Sequence, residues 1–202
     1  MAGAVILRDG VAVEDPIAVV LGFLERYGSV GSGEVSAPAS FGEPDLRLAN
    51  RGGARISAAQ IAEILERRRS IERALRSLAA DASLAGRSNT VSWPALRRLF
   101  DGFADIRGVG FAKATKALHP KRPALIPILD SIVQRYLAED DPGADAPFGE
   151  RALALVRGYK RDLDRNRVVM RAVQRELAMR GHGLTEVRIL DLLIWADQVS
   201  PP

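Results

Sequence analysis

Gly108-Val109-Gly110, two glycines flanking one apolar residue between two apolar helical stretches, is the most specific chemical pattern in the chain. Glycine permits a tight turn and leaves no Cβ between backbone and ligand. A helix starting at such a corner turns unpaired N–H groups and the positive end of its dipole outward. That combination suits a phosphate oxygen. Lys113 and Lys116 follow within the next two turns and Arg107 precedes, so all three can add positive charge. Contacts of this kind hold a nucleic-acid backbone without reading its bases. A plainer reading stands beside it, in which the glycines only make the corner of an ordinary helical connection.

The charge distribution favours the first reading. The formal net charge is only +4, yet residues 46–122 carry 16 Lys/Arg against 6 Asp/Glu. Residues 123–202 carry 11 against 12, and residues 1–45 carry 2 against 7. A basic middle third is the electrostatic footprint of a surface that faces phosphates, although an arginine-rich composition with solvated helix faces produces the same count. Cysteine is absent, which excludes disulfides, thiolate zinc sites, a Cys-ligated iron–sulfur cluster and a cysteine nucleophile. The residues Met1 to Asp9 lack a basic start followed by a long apolar run, so no signal peptide is expected. No apolar run approaches the ~18–20 residues of a bilayer span. A soluble, cytoplasmic protein without membrane contact is expected, with oligomeric state left open.

Other polar residues have structural readings at least as good as chemical ones. Asp130 directly precedes the helical stretch Ser131–Leu137 and is placed to cap it, with Arg135 able to pair with it. His119 falls at a helix exit and His182 lies between two glycines, so neither belongs to a metal site. Asp45 and Asn50 lie in a polar, glycine-bearing stretch where turn and cap chemistry is the first expectation and a base pocket the second. The run Arg67-Arg68-Arg69 reads as a solvated face, with phosphate contact as the alternative. Trp93 and Trp195 are expected to pack, with a stacking or wedging role also open to Trp93.

These residues must be positioned by helices. Asp15-Pro16 begins a helix ending near Gly28, and residues 29–56 read as loop. Ser57 starts a long helix with a break near Ser70. Residues 86–90 read as loop, Ser92 and Pro94 open a helix, and Gly108–Gly110 interrupts the stripe before it resumes at Ala112–Leu118. Further helices are expected near 131–137, 147–162, 166–180 and 185–198, the last well buried. The expectation is an all-α, multi-helix bundle of about eight helices, one domain over residues 1–202, with a core at about 94–137 and C-terminal helices at about 147–198.

Taken together, Ile106-Arg107-Gly108-Val109-Gly110 resembles the Leu-Pro-Gly-Val-Gly hairpin of the helix-hairpin-helix DNA glycosylase superfamily, with Arg107 in place of proline. Pro127-Ile128-Leu129-Asp130-Ser131-Ile132-Val133-Gln134-Arg135 resembles its second motif, Val-Asp-Thr-His-Val-x-Arg, with Asp130 and Arg135 matching, Ser131 for Thr and Ile132 for His. The likeness runs from Phe103 to Arg135, and a group of actinobacterial proteins of unassigned activity is similar across the same core. The resemblance implies a glycosylase-like fold and DNA as partner. It implies that amides around Gly108, Gly110 and Ala112 contact a phosphate. It implies that carbonyls of Ala104, Ile106 and Val109 hold a structural K+ or Na+. It also implies that Asp130 is the catalytic carboxylate, stabilising a cationic sugar or orienting water once the base has left the stack. Bifunctional members carry a lysine where Ala112 stands, and Lys113 is turned by about 100° from that place. The implied activity is therefore that of a monofunctional N-glycosylase, a hydrolase of base excision repair, rather than a lyase. A non-enzymatic DNA-binding module is the alternative, and a protein-interaction bundle a third.

Overall fold

Residues 3–28, 37–86 and 91–199 are described by the computed structural model. Of the loops expected at 29–56 and 86–90, residues 29–36 and 87–90 lie outside the described residues. What is described is mostly helical, with ten α-helices and one two-stranded antiparallel sheet of β1 (Val5–Ile6) and β2 (Ala12–Val13), paired Val5 to Val13 and Ile6 to Ala12.

Local chemistry explains most helix starts. Helix α1 (Pro16–Tyr27) opens on Asp15, which accepts from the Ala18 amide at 3.0 Å. Helix α3 (Ala58–Glu66) opens on a reciprocal box in which Ser57 Oγ accepts from the Gln60 amide and Gln60 Oε1 from the Ser57 amide. Two departures from expectation appear here. Residues 43–51, expected as loop, form α2 (Glu43–Arg51), started by Asp45 Oδ2 accepting from the Gly42 amide at 2.8 Å. The long helix after Ser57 breaks at Arg67 rather than Ser70, and α4 runs Arg68–Arg76.

Helix α5 (Trp93–Asp101) packs between α4 and α8 (Phe148–Arg165). Helix α6 (Phe111–Leu118) lies against α2, and α7 (Ser131–Tyr136) against α10 (Glu186–Val199), which also meets α1 and α9 (Arg167–Met179). One continuous apolar cluster joins these elements, from Val5 and Leu7 through Leu96, Leu99 and Phe103 to Ile189 and Leu193. Helix α10 is buried on several sides, as its all-round apolar sequence requires. Among the described residues no helix is long and apolar enough to cross a membrane.

Candidate nucleic-acid interface

Between α5 and α6 the chain makes a nine-residue corner, 102–110. Phe103, Ile106 and Val109 point inward and are almost fully buried, and the Val109 amide donates to the Ile106 carbonyl at 3.0 Å. Arg107, Gly108 and Gly110 stay exposed. Gly108 has φ +74°, a left-handed conformation that disfavours side chains. Gly110 is the N-cap of α6 and offers no side chain to cap it, so the first-turn amides, that of Ala112 among them, have no intrahelical acceptor. A Cβ built on Gly110 would meet nothing within 4 Å. The corner is thus on the surface, with bare backbone facing outward.

Three cations surround it, and each is held by a neutral oxygen. Lys113 Nζ donates to Gln60 Oε1 at 2.8 Å, while Gln60 Nε2 donates to the Arg107 carbonyl at 2.9 Å and lies over Gly108. Lys116 Nζ donates to the Gly52 carbonyl at 3.1 Å. The Arg67 guanidinium donates to the Ala104 carbonyl. Among the described residues none of the three has a carboxylate within ion-pair distance. Their charge is fixed in place without being cancelled. Arg55, exposed and itself at φ 55°, lies two residues beyond Gly53 on the same loop. Of the three carbonyls expected to hold a K+ or Na+ ion, that of Ala104 already receives Arg67 and that of Ile106 the Val109 amide.

The expected second element, Asp130, is tied to the corner through α6. Thr115 Oγ1 donates to the Phe111 carbonyl at 2.7 Å and accepts from the Leu129 amide at 3.0 Å. Asp130 then caps α7, with Oδ1 accepting from the Ile132 and Val133 amides at 3.1 Å each. Its Oδ2 accepts from Trp195 Nε1 at 2.8 Å. A carboxylate offers about four acceptor directions, so three are filled by the protein. Arg135 does not pair with Asp130. It lies exposed on the wall of a cleft of about 520 Å³, with Arg8, Tyr136, Arg161 and Arg165, and Asp130 is not among the residues lining that cleft.

Behind Asp130 lies a buried acid. Asp191, on the face of α10 that also bears Trp195, accepts from the Ile128 amide at 3.4 Å and lies 2.9 Å from the Tyr159 hydroxyl. Burial raises its pKa to about 7, against the opposing pull of Arg188. Burial likewise lowers that of His119 to about 4, and its Nδ1 faces the Ile126 carbonyl at 2.6 Å. His119 is thus a neutral packing residue.

The remaining candidates resolve into structural roles. Asp45 caps α2 and forms a buried ion pair with Lys121 at 2.6 Å. Asn50 ties both main-chain groups of Ile56, at 2.6 and 2.9 Å. Arg68 pairs with Glu72, and Trp93 lies under the Arg157 guanidinium. His182 stays in the turn after α9, where its amide donates to the Leu177 carbonyl. Two corner residues were not foreseen for the parts they play. Gln60 is singled out by nothing in its local sequence, and Arg67 reads as part of a solvated basic run. The chain matches a family of unknown function, DUF6308, over residues 24–198. No curated protein and no solved structure matches it.

Proposed function

We propose that the chain, which belongs to the DUF6308 family, is a DNA-binding protein that grips the sugar–phosphate backbone with a helix-hairpin-helix unit of α5, the 102–110 corner and α6. One observation carries this reading. Around the uncapped start of α6, Lys113, Lys116 and Arg67 are positioned by neutral acceptors and keep their charge for an external anion. A phosphate oxygen at Gly110 would meet helix-start amides at close range, with the lysines a turn further on. Nothing in this arrangement selects a base, so binding is expected to follow backbone charge rather than sequence.

The test is anisotropy of a labelled duplex across a salt series, with the full chain. Affinity should fall as salt rises, with a slope of log K on log salt of roughly −0.9 per neutralised phosphate. Gly110→Glu should abolish it without unfolding the protein, because a side chain there enters open space. Absence of retention even at low salt would remove the reading.

A monofunctional glycosylase is the second reading, and the hydrogen-bond chain from α6 through Thr115 to Leu129, next to Asp130, favours it. The unfilled acceptor direction on Asp130 would then face a sugar or a water. Incubation with duplexes carrying a panel of damaged bases, followed by alkali, tests it directly. Strand breaks lost in Asp130→Asn support it, and no breaks on any lesion exclude it.

A further inference from the structure

Of the three arginines at 67–69, only the first turns inward. The break between α3 and α4 puts Arg67 in a turn, with φ −91° and ψ 3°, and frees its side chain to reach a carbonyl 37 residues away. Arg68 pairs with Glu72, and Arg69 is exposed. The carbonyl Arg67 reaches, that of Ala104, lies just past the C-terminal end of α5, where main-chain dipoles present their negative ends. Such a place attracts a cation. A guanidinium held there, with no carboxylate partner among the described residues, does two things at once: it satisfies the carbonyl and leaves a net positive charge beside the exposed corner.

We infer that Arg67 is the resident cation of the corner, standing where a main-chain carbonyl would otherwise recruit an alkali metal ion. The grip on an anionic backbone is then independent of which monovalent cation is in solution. For its DNA arm this rests on the backbone-binding reading; for its melting arm it does not. Arg67 acts here as a positioning and charge-supplying residue, and loss of packing alone would not reproduce a dependence on cation identity.

The experiment compares lithium, sodium, potassium and tetramethylammonium chlorides at one ionic strength, since tetramethylammonium is too bulky to sit among carbonyls. In each salt, duplex affinity and melting temperature are measured for the wild-type chain, Arg67→Ala and Arg67→Lys. The wild type is expected to bind within about twofold and to melt within about 1 °C across all four salts. Arg67→Ala is expected to bind about tenfold more weakly in tetramethylammonium and to recover part of that loss, with a higher melting temperature, in potassium or sodium. Arg67→Lys, which keeps the charge, should remain cation-blind. A wild type that needs potassium or sodium overturns the inference. So does an Arg67→Ala chain that binds as well as wild type, or one weakened equally in every salt. If Arg67→Ala does not fold, Arg67→Met, which keeps much of the side-chain bulk without the charge, takes its place in the same salt series and is judged by the same outcomes. Failure to bind DNA in any salt sinks the backbone reading, while the melting series continues to judge Arg67.

Discussion

The corner at 102–110 and the clasp around Arg8 are both rich in arginine or lysine, yet they use charge in opposite ways. At the clasp, Arg8 Nε meets Asp162 at 2.8 Å and its Nη2 meets Asp140 at 2.6 Å. Arg161 also pairs with Asp140, Arg165 stands 3.7 Å from Asp162, and Arg8 lies over the Tyr136 ring. Gly158 makes the room, since a Cβ there would lie 1.9 Å from Asp140 Oδ2. Arg8, Arg161 and Arg165 each face a carboxylate, and their contacts serve the fold. At the corner the cations are answered by amide and carbonyl oxygens, so position is fixed and charge is left over. Partner chemistry, more than the number of basic residues, separates the two clusters.

The largest test of that contrast is Asp162→Ala. Asp162 is only 2% exposed, and its removal should cost toward the lower end of the about 3–5 kcal/mol of a broken buried pair, because Asp140 still faces Arg8. Urea unfolding should show that loss, with duplex binding intact wherever the protein stays folded. Lost binding with unchanged stability would erase the distinction.

Next in size is a pH effect confined to the scaffold. Asp191 has its folded pKa raised, so its contribution is complete below about pH 4 and is lost as pH climbs through about 7. His119 has its folded pKa lowered, so its contribution is complete above about pH 6.5 and is lost as pH falls through about 4. Between those limits the two tilt stability in opposite directions. Asp191→Asn should leave stability rising with pH across that window by about 3 kcal/mol, and His119→Gln should leave it falling by a similar amount. Denaturant melts at several pH values measure both. The salt slope of duplex binding should stay the same, because neither Asp191 nor His119 belongs to the 102–110 corner.

A smaller effect separates the corner from its surroundings. Replacing Lys113 and Lys116 by alanine should lower the salt slope by about one for each phosphate contact removed, with stability changed by about 0.5 kcal/mol or less. The smallest concerns Asp105, the exposed acid of the corner, at φ 60°. Asp105→Asn keeps a residue that tolerates this backbone and deletes the charge, so binding should tighten by about two- to threefold at low salt.

The sequence reveals the corner more readily than its support. Gly108, Val109 and Gly110 announce themselves because turn chemistry is local, and Asp130 reads as a cap for the same reason. Helix α2 hides because Gly42, Pro44, Gly52 and Gly53 all carry turn signals, while its start depends on Asp45 bonding three residues back. The break at Arg67 has no local mark; its guanidinium is drawn to a carbonyl that spacing cannot reveal. Trp195 reaches Asp130 across 65 residues, equally beyond any periodicity.

The β1–β2 strap has a consequence for where this protein can be cut. It lies wholly before residue 24, where the family match begins. Yet it supplies Arg8 to two acids and both main-chain groups of Ile6 to Asn166, at 2.8 Å each. A fragment trimmed to the family boundary would leave the buried Asp162 to the more distant Arg165 and would take from Asn166 both of its bonds to Ile6. The autonomous folding unit is therefore longer than the family segment, and expression fragments should retain the strap.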